Sequence, residues 1–466
     1  MNKPPTILGW FAGFCLALAL LAPGMALAQE DDDDDIVVPA QIDDDVEPEP
    51  ADDDAFEPEP VDDDDAFEPE PADDDDFEPE PADDDDETLD APRQDQAMVN
   101  LRDGVDPAIF AQRYNVTVLR VIPGPNIVLL GLDPARDDDQ ELANFLDADD
   151  AEWAELNFTA QAPEGRPRYF FSSVAAEPQV VDGAALPAGL EFTPGSSCVT
   201  GANVVVAVLD TGVDVDHPAL IANVLPNGVN IVDNTYDVRD IGNGLDDDGD
   251  GQIDEMTGHG THVSGAILQV APGARILPVK VLNSDGVGDD FSVTAGVHYA
   301  VEQGSAVINL SLGSTYNSLA VRDAIEFASS QGVVVVAAAG NGDRQIPAEY
   351  PAATASVISV AATDAAGAKA LYSNYHATVD LSAPGNNLAS AYPGGLYTTA
   401  SGTSMSTSLV SGSVALILER QPNATPASVT NVLQDTSGPL RLNDPALEGL
   451  LGAGELDIDA SLSCTG

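Results

Sequence analysis

Four apolar runs constrain the fold of this chain more than any other feature: NVVVAVL at 203–209, RILPVKVL at 275–282, AVINLSL at 306–312 and GVVVVAAAG at 332–340. Each has the length of a strand and is apolar on both alternating faces, so neither face of the sheet they build can meet water. Helical patterns lie between them, at about 291–303 and 317–331. Strands separated by helices pair in parallel through right-handed crossovers. This predicts an α/β fold, a mostly parallel sheet flanked by helices. Ligands of such sheets gather at the carboxyl ends of the strands, which directs attention to the polar residues that follow each run.

Asp210 ends the first run, in AVLDTGVDVDHP. An aspartate there is equally a turn former. GHGTHVSGAI sets His259 and His262 three apart at a helix start. A metal pair is one reading of them, yet the H-E-x-x-H pattern is absent and no third ligand is evident. AAAGNGD places Asn341 between two glycines after the fourth run, where a side-chain amide can point into a cleft. In SGTSMSTSLVSGSVALILER, residues 401–420, Ser404 stands at the expected first turn of a helix. Unpaired amides and the helix dipole favour developing negative charge at that place.

Four motifs in the order Asp, His, Asn, Ser, over about residues 199–440, resemble the subtilisin-like serine proteases, the subtilase family (peptidase S8 type). The resemblance implies that Ser404 attacks the scissile carbonyl, that His259 takes its proton, and that Asp210 orients the imidazole. It implies that the Asn341 amide and the backbone N–H of Ser404 bind the oxyanion. In a subtilisin, loss of such an amide costs about 3 to 4 kcal/mol of barrier. Ser311, Leu312 and Gly313, closing INLSLG, match the family's extended edge that pairs with substrate backbone, and YSNYHATVDLSAPG matches the segment before the nucleophile. Ser406 and Ser408 fall inside the helix, where their hydroxyls turn away or bond back to carbonyls. His262 is expected to be carried off the cleft. Gly402 is expected where backbone passes close to the substrate.

Two departures stand out. Ser406 and Ser408 occupy positions where the family usually has alanine and proline, and Ala219 stands where an acid often ligates calcium. A different calcium site is expected in NGLDDDGDGQIDE, where Asp246, Asp248, Asp250 and Asp254 alternate around Gly251; Thr257 takes the place of a bidentate glutamate. No charged residue can be placed in the pocket for the side chain preceding the cut, so a medium or large apolar preference is what the resemblance implies.

The N-terminal third differs in texture. Lys3, an apolar stretch at 7–22 and Ala26-Leu27-Ala28 read as a signal peptide over 1–28, hence a secreted protein, extracellular or periplasmic. No later stretch is long and apolar enough to span a membrane. Residues 29–94 are expected to form a disordered acidic segment, because residues 30–92 hold 34 Asp and Glu and no Lys or Arg, with repeats of FEPEPADDDD. The formal charge of −64 makes nucleic acid a poor partner. Residues 95–162 read as a small α+β domain that resembles the family's inhibitory propeptide, with WAELNF near its end. Residues 163–198 are a linker and 199–466 the catalytic domain. Removal of the signal leaves Cys198 and Cys464, an even pair expected to form a disulfide in an oxidising compartment.

The chain therefore reads as a monomeric, autoprocessed endopeptidase acting on protein or peptide substrates, with its own propeptide as intramolecular inhibitor. The alternatives are a catalytically silent subtilase-like protein that binds calcium at a surface, and an acyl transferase using the same residues.

Overall fold

The computed structural model describes residues 92–147, 149–165 and 198–462. The signal peptide, nearly all of the acidic segment, residues 166–197 of the linker and Cys464 lie outside the described residues.

The small domain runs β1 (Pro92–Leu101), α1 (Pro107–Tyr114), β2 (Thr117–Ile122), β3 (Ile127–Gly131), α2 (Asp138–Asp147) and β4 (Ala151–Gln161). The stretch VTVLRVIPGPNIVLLGL is a hairpin of β2 and β3. Pro123, Gly124 and Pro125 cannot continue a ladder, and Asn126 takes a left-handed φ of 58°. β1 starts at Pro92, inside the stretch expected to be acidic tail, because it pairs antiparallel with both β3 and β4. Phe110, Phe145, Val99 and Leu130 fill the core between helices and sheet.

The large domain follows as β5 (Val205–Asp210), β6 (Val229–Asn230), α3 (His259–Val270), β7 (Arg275–Lys280), β8 (Val287–Asp289), α4 (Asp290–Glu302), β9 (Val307–Leu310), α5 (Leu319–Ser330) and β10 (Val334–Ala338). It continues with β11 (Val357–Thr363), β12 (Leu381–Pro384), the hairpin β13 (Leu388–Tyr392) and β14 (Leu396–Ala400), then α6 (Thr403–Arg420), α7 (Pro426–Thr436) and α8 (Ile458–Leu462). Seven strands form a parallel sheet in the order β12-β11-β10-β9-β5-β7-β6. The four apolar runs supply its centre. The fold is thus the predicted α/β one, a parallel sheet flanked by helices.

α6 is buried along almost its whole length against that sheet and α3. Small residues make this possible. A Cβ on Gly412 would meet Cβ of Val270 at 2.7 Å and the Ile267 carbonyl at 3.0 Å, so the two helices approach to contact only because position 412 has no side chain. The serines of α6 bond within the domain: Ser406 Oγ donates to the Ala383 carbonyl of β12, Ser408 Oγ back to Met405, and Ser411 Oγ to Asn309 Oδ1. Ser406 thereby reaches across to the sheet and Ser408 bonds to its own helix.

The two domains meet along one edge. β4 pairs antiparallel with β8, extending the small domain's sheet to the order β2-β3-β1-β4-β8. Glu155 of β4 accepts hydrogen bonds from Ser318 Oγ and from the amides of Leu319 and Ala320, which open α5 and have no partner within the helix. Asn157 Oδ1 accepts from the Phe291 amide at the start of α4, and Phe158 stacks on Tyr316 with ring centroids 3.5 Å apart. Cys198 is disulfide-bonded.

Candidate active site

Each of the four polar residues singled out in the sequence stands at the end of a strand, shortly after one, or at the start of a helix. Asp210 is the last residue of β5, His259 the first of α3, Ser404 the second of α6, and Asn341 follows β10 in the adjoining loop. The parallel sheet brings these ends to one edge.

Asp210 is fully buried, and its Oδ1 accepts from His259 Nδ1 at 2.7 Å and from the Thr211 amide at 2.7 Å. Gly260 permits the approach: a Cβ there would lie 2.2 Å from the Gly212 carbonyl and 3.0 Å from Asp210 Oδ1. Asn341 is oriented from behind. Its Oδ1 accepts from both the amide and Oγ1 of Thr403 at 2.9 Å, which leaves Nδ2 as the group facing the cleft. Ser404 is the second residue of a helix of 18 residues whose cap, Gly402, gives no side-chain bond; the amide of Thr403 is taken by Asn341 Oδ1.

His259 Nε2 and Ser404 Oγ share a partner instead of a hydrogen bond to each other. Both contact Glu164 Oε2, at 3.0 and 2.8 Å, while Asn341 Nδ2 donates to Glu164 Oε1 at 3.1 Å. The expected line from Asp210 through His259 to Ser404 is therefore interrupted by one carboxylate oxygen. Burial would lower the His259 value, but the charge and hydrogen bond of Asp210, with those of Glu164, carry it well above the ordinary imidazole range. Burial would raise Glu164; the His259 charge and the bonds from His259, Ser404 and Asn341 together hold it below the ordinary carboxylate range. The pair is an imidazolium and a carboxylate.

The chain leading to Glu164 lies as a strand between two others. Gln161 exchanges backbone bonds of 3.1 and 2.8 Å with Gly313, and the Ala162 amide donates to the Gly286 carbonyl at 2.9 Å. Ser311 Oγ accepts from Asn309 Nδ2 and is buried, as is Leu312, and Gly313 makes the backbone bonds to Gln161. A charged pair stands beside Gly313 and Gly340. A Cβ on Gly313 or on Gly340 would strike the Glu349 carboxylate at 2.8 or 2.7 Å, and Glu349 pairs with Arg344 at 2.9 Å.

His262 is carried off the cleft. Its Nε2 bonds the Leu388 carbonyl of β13, and burial pushes its value down to about 4, so it is neutral. Ser401 Oγ accepts the Asn387 amide, outside the site.

Sequence reading missed Asp240, a fully buried carboxylate that binds the pieces of the site together. It accepts from Thr211 Oγ1 at 3.1 Å, from the Gly258 amide at 3.0 Å, and from the amide and Oγ1 of Thr261 at 3.1 and 2.7 Å. Thr211 Oγ1 in turn accepts the Gly260 amide. Asp240 thus joins the end of β5 to the start of α3, and Lys280 reaches the Thr211 carbonyl beside it.

In the acidic loop, carboxylate oxygens of Asp246, Asp248 and Asp250 lie within 4.8 Å of one another. Asp254 does not join them: its carboxylate accepts the amides of Asn243 and Gly244 and so pins the loop's entry. Glu255, which sequence reading passed over, has both oxygens buried without a hydrogen-bond partner, and Asp248 Oδ2 is in the same condition. Burial, with the charges of Asp285, Asp248 and Asp250, pushes Glu255 up to about 7. Such uncompensated oxygens on Glu255 and Asp248, with the carboxylates of Asp246 and Asp250, could hold a hard cation.

Among the described residues no helix is long and apolar enough to cross a membrane. Comparison with known proteins gives one answer. Residues 201–454 match the sequence profile described as Subtilase family. Subtilisin BL of Lederbergia lenta is 38% identical over 264 residues, covering 55% of this chain and 91% of its own. Thermitase of Thermoactinomyces vulgaris is 36% identical over 281 residues, covering 58% and 91%. Fervidolysin of Fervidobacterium pennivorans, described as a keratinolytic enzyme related to subtilisin, has a similar structure with TM-score 0.64 over 80% of this chain and 61% of its own. At 24% identity that likeness speaks for the fold alone.

Proposed function

Because this chain belongs to the subtilase family and is a subtilisin-like serine endopeptidase, we propose that it hydrolyses peptide bonds of protein or peptide substrates through Ser404, His259 and Asp210, with Asn341 as oxyanion donor. The observation that carries this is the meeting of three groups on one carboxylate: His259 Nε2, Ser404 Oγ and Asn341 Nδ2 all address Glu164, with Asp210 behind the imidazole. Without Glu164, the same space takes a scissile carbonyl. Ser404 Oγ adds to its carbon as the neutral His259 accepts the proton, and Asn341 Nδ2 with the Ser404 amide holds the oxygen as it becomes negative. Imidazolium, held by Asp210, then gives the proton to the departing amine, and the acyl-enzyme is hydrolysed by the same groups in reverse.

The small domain is read as an inhibitory propeptide, removed by cleavage in the segment 163–198. The mature enzyme is then a secreted monomer, and Cys198 pairs with Cys464. A structural calcium ion is assigned to Asp246, Asp248 and Asp250, with Glu255 as the further oxygen donor; Asp254 serves the loop instead. Casein hydrolysis by the processed protein, abolished in Ser404→Ala, tests the activity. Hydrolysis that persists in Ser404→Ala contradicts it.

A further inference from the structure

We propose that Glu164 is a built-in ligand of the catalytic centre, a side-chain carboxylate that latches the full chain shut. The proposal rests on the proteolytic reading above and goes past it, because it assigns the closure to one side chain rather than to coverage of the cleft.

The backbone of β4 enters as a substrate would, bonded to Gly313 and Gly286 through Gln161 and Ala162. It then leaves that path. Residues Pro163–Gly165 form a 3-10 turn, which lifts the main chain and swings the Glu164 side chain onto the centre. What meets Ser404, His259 and Asn341 is therefore a carboxylate, not a peptide carbonyl. An ionised carboxylate resists addition by a hydroxyl, and no chain bond is broken by attack on a side chain. The latch also occupies the base: Glu164 adds its charge and hydrogen bond to those of Asp210 in favouring imidazolium at His259, a form with no lone pair to accept the Ser404 proton. The fit is close. Glu164 is buried, and a Cβ on Gly402 would lie 1.9 Å from its Oε1.

The groups that face this ion pair fix its response to pH. Asp210 faces His259 Nδ1 from β5, with Asp240 and Lys280 behind it; His262, on the same helix, is neutral. Tyr372, which senses the Glu164 charge, is kept protonated by burial. Glu164, with its value lowered, keeps its charge until pH falls below the ordinary carboxylate range. His259, with its value raised, loses its charge only as pH climbs past the ordinary imidazole range. The latch is closed between these limits, and its ion pair is lost as pH rises through the raised His259 value or falls through the lowered Glu164 value.

The test is the rate at which a fluorophosphonate probe labels the full-length band, resolved from processed forms on a gel, in wild type, Glu164→Gln and Glu164→Ala across the neutral and alkaline range. The glutamine keeps shape and removes charge. Both variants are expected to label about tenfold faster or more at neutral pH, and the pH midpoint of labelling is expected to lie lower in Glu164→Gln than in wild type. Once the N-terminal region has been removed, all three should label alike. Full-length bands that label at one rate and with one midpoint, while processing still raises labelling, overturn the latch and leave the protease reading intact. Absence of labelling in every form, before and after processing, overturns the protease reading and the latch with it.

Discussion

Asp240 shows how much of a catalytic geometry can depend on a residue that touches no substrate. Its two oxygens hold Thr211, Gly258 and Thr261, and through them the distance between Asp210 and His259. Asp240→Ala leaves four buried donors without their acceptor. Misplacement of about 1 Å costs on the order of a hundredfold in rate, so kcat is expected to fall by about that factor with KM little changed. Asp240→Asn, which keeps one acceptor oxygen and the shape, should recover part of it in steady-state kinetics on a peptide substrate. Equal kcat in wild type and Asp240→Ala contradicts this role. The contrast with the four motif residues explains what sequence could reveal. Asp210, His259, Asn341 and Ser404 sit where backbones crowd, so glycines such as Gly260 and Gly402 mark their places. Asp240 lies in a loop with no periodic pattern, and Glu164 is one acid among 80 Asp and Glu. Only the fold distinguishes them.

The central strands and helices were legible because burial on both faces leaves unbroken apolar runs. β5, β7, β9 and β10 lie where those runs predict, within a few residues. The β13–β14 hairpin was not, since LASAY and LYTTA mix small polar and apolar residues without alternation. α6 and the acidic loop each carry a prediction. Gly412→Val inserts two methyls and a Cβ where Val270 already stands at 2.7 Å, and is expected to lower stability by about 1–3 kcal/mol in denaturant unfolding. An unchanged midpoint contradicts the close helix crossing. In the loop, Asp246, Asp248, Asp250 and Glu255 repel one another unless a cation screens them. Chelation is expected to lower the melting temperature and activity together, and Asp248→Asn to weaken calcium binding measured by calorimetry. Chelation that leaves both melting temperature and activity unchanged removes calcium from the account. The alternation of acids around Gly251 was readable; the departure of Asp254 from the cluster and the approach of Glu255 were not, because both depend on how the loop folds against Asp285.

At the scale of the whole molecule, the small domain is fastened to the large one by groups that each satisfy a helix start. Glu155 meets three donors at the head of α5 and Asn157 one at the head of α4. Their placement in WAELNF gave the domain's resemblance, yet nothing in the letters said which helices they would reach. Glu155→Ala leaves those amides unpaired, at about 1–3 kcal/mol. It is expected to speed release of the N-terminal region from the processed enzyme by at least about tenfold, followed by the recovery of peptidase activity after cleavage; an unchanged rate contradicts the docking. The predicted effects on activity presuppose that Ser404 is the residue that reacts. The most direct measurement is peptide mapping by mass spectrometry of the processed protein after fluorophosphonate treatment, beside His259→Ala. A single adduct on Ser404, absent from His259→Ala, is the predicted result. An adduct on another serine, or none in a preparation that still digests casein, would contradict it.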